Sequence, residues 1–448
     1  MAGTSGVSHI APDLAERPTE PAAAYPHTRW NFTVIVTDAS AFMTGLAFAS
    51  PMIVIPLLVE RLTGSTVLVG LVIALQMAGW VLPQLPVASA VEHRPRKKPF
   101  MLKVCLLGRL PVVLIPFALV VLAGRPHLVL AVLLAVHFLF FLSDGMTGVP
   151  WTDIGAKTIP PRLRGRFFGT MQLVAGTLSV LAGVAVRRIL DDPRLPYPRD
   201  YALLFTIQFA LIMVSWVFLA LIREPVRPVR AERRGLRRML RDAPGLLAGN
   251  PQFLRLIMVM ALVGVGSLAV PFYAVYATEK LGVAEAMAGF FISAQMAGGI
   301  VSSMVWGLLS DRRGSKRVVQ GTTICSLGTP LVALLVPLVL ARHTPGALAY
   351  GYALTFFLLG ATFNGTWIGP TNFVLELVGD EERPSYVALL YAMSAPLVLL
   401  PIIGGWLIRV TSYQVVFVIA ALCGAIAVGA TAWLREPRDA ARRETSAA

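Results

Sequence analysis

Charge is scarce in this chain of 448 residues. Asp, Glu, Lys and Arg make up 14% of it, where soluble domains carry about 25%, and 56% of the residues are hydrophobic. With a mean hydropathy of +0.71, that composition excludes a soluble globular protein and places the chain in lipid. Cysteine is nearly absent. The three present, Cys105, Cys325 and Cys423, lie in apolar stretches without ligand-spaced neighbours, so neither a disulfide framework nor a zinc site is expected, and no other metal site is indicated. A Gly-rich loop ending in Lys-Ser/Thr is missing, which argues against ATP as partner. No nucleophile and base constellation points to an enzyme, and no cofactor is implied. Residues 1–29 lack the basic start, apolar core and cleavage site of a signal peptide and read as a disordered cytoplasmic tail.

Long apolar runs are what the chain has instead. Twelve stretches are long enough to cross a hydrocarbon core of about 30 Å as helices, centred in residues 31–58, 66–88, 100–122, 127–157, 166–187, 201–222, 253–277, 285–309, 317–340, 347–377, 384–408 and 412–434. Period-two alternation is lacking, so a barrel is not supported, whereas helices satisfy their own backbone in lipid. The expected fold class is an all-α membrane protein with twelve transmembrane helices.

The twelve are one six-span module used twice. Gln76-Met77-Ala78-Gly79 recurs as Gln295-Met296-Ala297-Gly298, each followed twelve residues on by a carboxylate, Glu92 or Asp311. At nearly the same offset Pro51 matches Pro271, Gly70 matches Gly289, Cys105 matches Cys325, Gly108 matches Gly328, Gly145 matches Gly365 and Pro150 matches Pro370. The expected organisation is two pseudo-symmetric bundles, 30–222 and 252–435, joined by a basic cytoplasmic linker, 223–251, with a cytoplasmic tail, 436–448. Within the linker, 231–242 suits either a basic amphipathic helix on the inner leaflet or a solvated loop.

The net charge of +15 sorts by loop. With the N-terminus inside, the connections after spans 2, 4, 6, 8 and 10 and both termini hold roughly 29 of the 39 basic residues. This asymmetry predicts a multi-pass plasma-membrane protein with both termini cytoplasmic, its basic charge facing anionic headgroups rather than nucleic acid. The bilayer is thus the expected partner, and a monomer the expected state.

Between spans 8 and 9 runs Gly307-Leu308-Leu309-Ser310-Asp311-Arg312-Arg313-Gly314-Ser315-Lys316-Arg317. It resembles the loop signature of the major facilitator superfamily: a Gly for helix packing, an acid followed by Arg, a turn Gly, then basic residues. The first copy, 88–98, is degraded, with Glu92 for the acid, His93 for the Arg and Pro95 for the turn Gly. Pro160, Pro161, Arg162, Arg164, Gly165 and Arg166 resemble the family's loop between spans 4 and 5, and Arg383 with Pro384 retains it in the second copy. The resemblance implies two six-helix bundles, the major facilitator fold, rocking about a central site, with Glu92, Gly307, Asp311, Arg312, Gly314, Lys316, Arg164 and Arg383 in cytoplasmic gating loops. The family's exporter signature in span 5 is not found; Pro401-Ile402-Ile403-Gly404-Gly405 in span 11 resembles its end in the other half.

Chemistry is sought where the repeat fails. Asp38 aligns with Met258, Arg109 with Thr329 and Asp144 with Asn364, and a charge at a helix centre costs about 2.5–3.5 kcal/mol on insertion scales. Asp38 and Asp144 are candidate proton carriers, and Arg109 tunes them, binds an anionic group, or locks Asp144 in a structural pair. Gln76 and Gln295 are cavity hydrogen-bonders or interhelical bonds, and Asn364 is a candidate cargo contact. Trp80 and Trp367 read as an aromatic wall, Trp151 and Trp306 as wall or interface anchors, and His137 as a satisfied membrane histidine or a relay. The resulting expectation is a secondary transporter moving a small-molecule solute by alternating access with protons as partner. Efflux of an amphipathic or drug-like compound leads. The alternatives are uptake of a sugar or organic acid, and a non-transporting sensor or lipid-handling protein.

Overall fold

The structure, a computed structural model, describes residues 25–91, 94–226, 245–247, 249–340, 345–379, 382–393 and 395–439. The tail over 1–24, most of the linker including 231–242, and Glu92 with His93 lie outside the described residues. Those described are helical or irregular, with no strand among them.

Spans 1, 2, 3 and 7 break at or beside a proline, which removes a backbone donor and clashes with the preceding turn, whereas Pro150, Pro330, Pro337 and Pro370 lie inside helices that continue through them. Span 1 is Thr28–Phe48 (α1) and Val54–Thr63 (α2), parted around Pro51, and span 2 is Thr66–Val81 (α3) and Gln84–Val91 (α4), parted at Pro83. Span 3 is Lys98–Arg109 (α5) and Leu114–Val121 (α6), with a tighter turn at Pro111 between them. Spans 4, 5 and 6 are the continuous helices Pro126–Thr158 (α7), Pro161–Asp191 (α8) and Arg199–Leu221 (α9). The second half repeats the order: span 7 is Pro251–Val265 (α10) and Phe272–Glu279 (α11), parted before Pro271, the partner of Pro51 in the repeat. Spans 8, 9 and 10 are Met287–Arg313 (α12), Ser315–Leu340 (α13) and Pro345–Leu377 (α14). Span 11 is Arg383–Ala392 (α15) and Leu400–Val410 (α16), and span 12 is Tyr413–Ala430 (α17).

Lipid supplies no hydrophobic force between helices, so they are held by close backbone approach. The doubled Gln-Met-Ala-Gly marks that approach in both halves. A Cβ on Gly79 of α3 would lie 2.8 Å from the Leu142 nitrogen of α7, and one on Gly298 of α12 would lie 2.0 Å from the Phe357 oxygen of α14. Facing glycines answer them: Gly145 sits on the Trp80 carbonyl and Gly360 on the Gln295 carbonyl. The halves meet by the same device. Gly70 of α3 packs on Pro401 of α16, Gly405 of α16 on Thr66, and Gly183 of α8 against Gly289 and Ser293 of α12. Gly404 in turn packs on the Leu268 carbonyl, so the span 11 motif is used for helix contact. Hydrogen bonds crossing between the halves, Thr66 Oγ1 to the Gly405 carbonyl at 2.7 Å and Ser293 Oγ to the Val180 carbonyl at 2.9 Å, lie toward the end away from the basic loops.

Gly307 departs from the packing role its signature implies, since a Cβ there would meet nothing within 4 Å. The contrast is measurable. Gly360→Ala, whose Cβ would lie 1.9 Å from the Gln295 oxygen, should lower the thermal midpoint through overpacking worth about 1–3 kcal/mol. Gly307→Ala should leave the midpoint unchanged or raise it slightly, alanine being the better helix former by up to about 1 kcal/mol.

Candidate functional site

Four helices of the first half bring polar groups into one buried network. Asp38 stands ten residues into α1, about 15 Å along its axis, and is 3% exposed; Arg109 ends α5 and is 5% exposed. Ser215 of α9 lies between them. Its hydroxyl donates to Asp38 Oδ1 at 2.5 Å and faces Arg109 Nη1 at 3.1 Å, while the same Nη1 donates to the Ile212 carbonyl at 3.0 Å. Trp151 of α7 donates its indole N–H to Asp38 Oδ2 at 3.2 Å, and the guanidinium lies 5.2 Å from the centroid of the Phe42 ring. Each buried charge therefore has partners, as a low-dielectric site requires.

The direct Arg109–Asp144 pair is not formed: among the described residues no ion pair within 4.0 Å joins Arg109 to either carboxylate. Ser215 and the Ile212 carbonyl occupy the guanidinium, which acts on Asp38 and Asp144 coulombically across a gap. Asp144 is partly exposed, and its neighbour Gly145 packs directly on the backbone of Trp80. That sets the α7 backbone after Asp144 against α3, which reaches the junction of the halves. There Trp80 of α3 meets Trp367 of α14, ring centroids 5.0 Å apart and nearly perpendicular at 80°.

The other polar candidates are drawn into helix contacts. Asn364 Nδ2 donates to the Gly299 carbonyl at 2.6 Å, tying α14 to α12. Gln295 Nε2 reaches Met52 Sδ across the halves at 3.2 Å, and the side-chain oxygens of Gln76 and Gln295 are shielded without a hydrogen-bond donor. Trp306, 6% exposed, donates to the Ala361 carbonyl at 3.3 Å and packs on Gly321, so it is a packing residue. Trp151, bound to Asp38, is likewise no interface anchor. His137 Nε2 contacts the Val72 carbonyl at 3.1 Å, the geometry of a satisfied membrane histidine. No group of three metal-ligating side chains occurs among the described residues.

The basic-loop end is organised by carboxylates the sequence reading passed over. Gly314 closes α12 at φ +85°, and a Cβ there would strike the Glu436 carboxylate. Glu436 accepts from the Lys316 N–H at 3.1 Å, so it caps α13. Arg438 bonds Glu376 and the Asp311 carbonyl, and Ser315 donates to Glu376 at 2.7 Å. In the first half Glu224 accepts from the Lys97 and Lys98 N–H groups at 2.9 Å each, capping α5 in the same way. The signal was Arg-Glu-Pro, present at 223–225 and again at 435–437. Arg164 and Arg383 are also equivalent: each donates Nε to the carbonyl five residues back, Ile159 at 3.4 Å and Val378 at 3.2 Å. Asp311 and Arg312 have exposed side chains.

The profile of the Major Facilitator Superfamily matches residues 256–448, the second half of the chain. Among solved structures, the nucleoside transporter NupG superposes with a TM-score of 0.64 at 14% identity, covering 90% of this chain and 99% of that one. A D-xylose-proton symporter superposes with a TM-score of 0.64 at 14% identity, covering 92% and 99%. At that identity the likeness shows the fold, which is the major facilitator fold. A protein of Deinococcus radiodurans named as a sugar efflux transporter is 26% identical over 198 residues, 44% of this chain and 50% of its own; the chain thus spans about half the length of the curated relative it matches. The family read from the loop signature is borne out, and these matches are transporters rather than enzymes.

Ser215 is the hinge of the buried network. Ser215→Ala leaves Asp38 Oδ1 without its donor and should cost about 1–3 kcal/mol, the penalty for an unsatisfied buried polar group. Asp144→Asn, at a partly exposed side chain, should cost less. Thermal unfolding of the two variants in detergent checks the order.

Proposed function

We propose, from the major facilitator fold and the meeting of its two halves at Trp80 and Trp367, that this protein is a proton-coupled secondary transporter that exports a small organic solute by alternating access. The indole pair carries the reading. It draws one ring from each half, so a rocking motion that parts the halves parts the rings and frees two π-faces for a cargo. Asp144 adds a partly exposed carboxylate to the first half, near the Arg109 charge, and Asp38, held by Ser215 and Trp151 beside Arg109, is the proton carrier. Indole faces suit the apolar face of a solute and carboxylates its hydroxyls, and a sugar or glycoside has both. The relative named as a sugar efflux transporter supports that class and direction. The second reading is an amphipathic or drug-like cargo, favoured by the same rings and the few free polar groups around them. The protein acts as a monomer in the plasma membrane, with both termini and the basic loops in the cytoplasm.

Flux in proteoliposomes tests it. Under a pH gradient, sugars and glycosides should move against their own gradient, and Trp80→Ala and Trp367→Ala should each lower the rate roughly tenfold, the loss of about 1.4 kcal/mol of stacking. Asp38→Asn should abolish gradient-driven movement while solute exchange at equal pH survives. Flux of amphipathic dyes alone would favour the second reading, and pH-independent flux in the wild-type protein would remove the proton.

A further inference from the structure

The end of the molecule away from the basic loops carries a second cluster of charge, and it lies on the seam between the halves. Glu60-Arg61-Leu62 closes span 1 and Glu279-Lys280-Leu281 closes span 7, at the same offset that relates Gln76 to Gln295. Both pairs fall in or directly after the last turn of their spans, at the end away from the basic loops. Arg61 bridges to Glu285 of the other half at 2.8 Å, side chains 42% and 30% exposed, and Tyr201 donates to the second oxygen of Glu285. Ion pairs this open to water contribute little.

The other acid of each pair behaves differently. α2 and α11 pack on each other, and the Glu60 and Glu279 carboxyls come within hydrogen-bond reach across the seam. Glu279 Oε2 accepts the Tyr413 hydroxyl at 2.8 Å. Glu60 Oε2 is shielded from solvent and receives no N–H or O–H from the described residues. A proton between the two satisfies a shielded carboxyl oxygen that has no donor and is set against another carboxyl. The charged and titratable groups around Glu60 complete the setting. α11 and the turn after it bring Glu279 and Lys280, α17 brings Tyr413, and Arg61 adjoins it on α2 itself. α3 contains no titratable residue, and α7 brings His137 against Pro51 and Ile55, more than one turn below.

We propose that Glu60 and Glu279 bind one proton between them and thereby latch the two halves together at the end away from the basic loops. The proposal rests on the reading that the halves rock apart there. In the closed form the proton is shared between one neutral and one ionised carboxyl, the O–H of the neutral one donating to an Oε of the other. Opening separates the groups into water, where both ionise and the proton leaves for the surrounding solution; closing takes one up from it. The closed form therefore holds a proton that the open form releases, and its advantage is lost progressively as pH rises. On the asymmetry of the basic loops this end faces outward, so acid outside closes the outer gate and drives the cycle on.

Distances between spin labels at Arg194 and Thr411, exposed positions at this end on opposite halves, test the latch. Both are replaced by Cys in a background with Cys105, Cys325 and Cys423 changed to Ala, and the full chain is reconstituted in lipid. The population at the open distance, relative to that at the closed one, should rise with pH above 5 by up to about tenfold per unit. Glu60→Gln and Glu279→Gln, whose amide N–H replaces the shared proton, should match the unsubstituted carboxyls at pH 5 and stay closed at pH 9. An unchanging distance from pH 5 to 9, or a Gln variant that still titrates or stands open throughout, overturns the latch. The readout needs no cargo, so a chain that moves no solute yet opens with pH keeps the latch and loses the transport reading, and the converse separates them equally.

Discussion

Close approach of helix backbones is the constraint on which the rest depends. Side chains in a bilayer gain nothing by leaving lipid for protein, so a bundle coheres only where small residues let backbones touch. Here those places are glycines, and the repeat has kept them in pairs. Gly79 with Gly145 joins span 2 to span 4, and Gly298 with Gly360 joins span 8 to span 10. The seam between halves is made likewise, by Gly70, Gly183, Gly289 and Gly405. Contacts of that kind have no tolerance for bulk but few interlocking side chains. They suit surfaces that must separate and close again as rigid units.

Polar groups then divide by whether the repeat preserves them. Those preserved at the basic-loop end do structural work at the helix ends: Glu224 and Glu436 cap the third span of each half, and Arg164 and Arg383 bind carbonyls at the fourth-to-fifth connection. These positions are near water, where a charge is inexpensive. The unpreserved ones, Asp38, Arg109 and Asp144, sit deep in the first half, where a charge persists only with partners arranged around it. Ser215 and Trp151 are those partners for Asp38. The second half has Met258 and Thr329 instead and needs no such arrangement. Asymmetry of charge on a symmetric frame thus concentrates the buried charges in the first half.

The frame was legible in the sequence because hydropathy and the repeat act over many residues. Span number and pairing of halves followed from runs and register, and the loop signature named the fold. The site was legible only as single residues. Helical rise gives the depth of Arg109 and Asp144 but not the direction in which either points, so two charges at similar depth looked like a pair while the guanidinium in fact turns to Ile212 and Ser215. Ser215 gave no signal of its own, a hydroxyl being common in membrane helices. The Arg-Glu-Pro caps were hidden for another reason: they recur at an offset of about 212 residues instead of about 219, chiefly because the connection between spans 5 and 6, 192–198, is longer than that between spans 11 and 12, 411–412. Gly307 kept its place in the signature without the packing that place implies.

Register carries a further consequence for the seam. In a duplicated chain, equivalent residues are related by the pseudo-twofold axis, and those near the axis meet their own counterparts. A charge preserved at such a point faces its own sign. Glu60 and Glu279 are in that position, whereas Arg61 escapes by turning to Glu285 and Lys280 has no like partner opposite. Two carboxylates held together by symmetry repel unless a proton lies between them. An assembly made from two copies of one module thus acquires, at its axis, a group whose charge depends on whether the copies touch. The glycine seam supplies contact that is indifferent to pH, and the carboxyl pair makes that contact conditional.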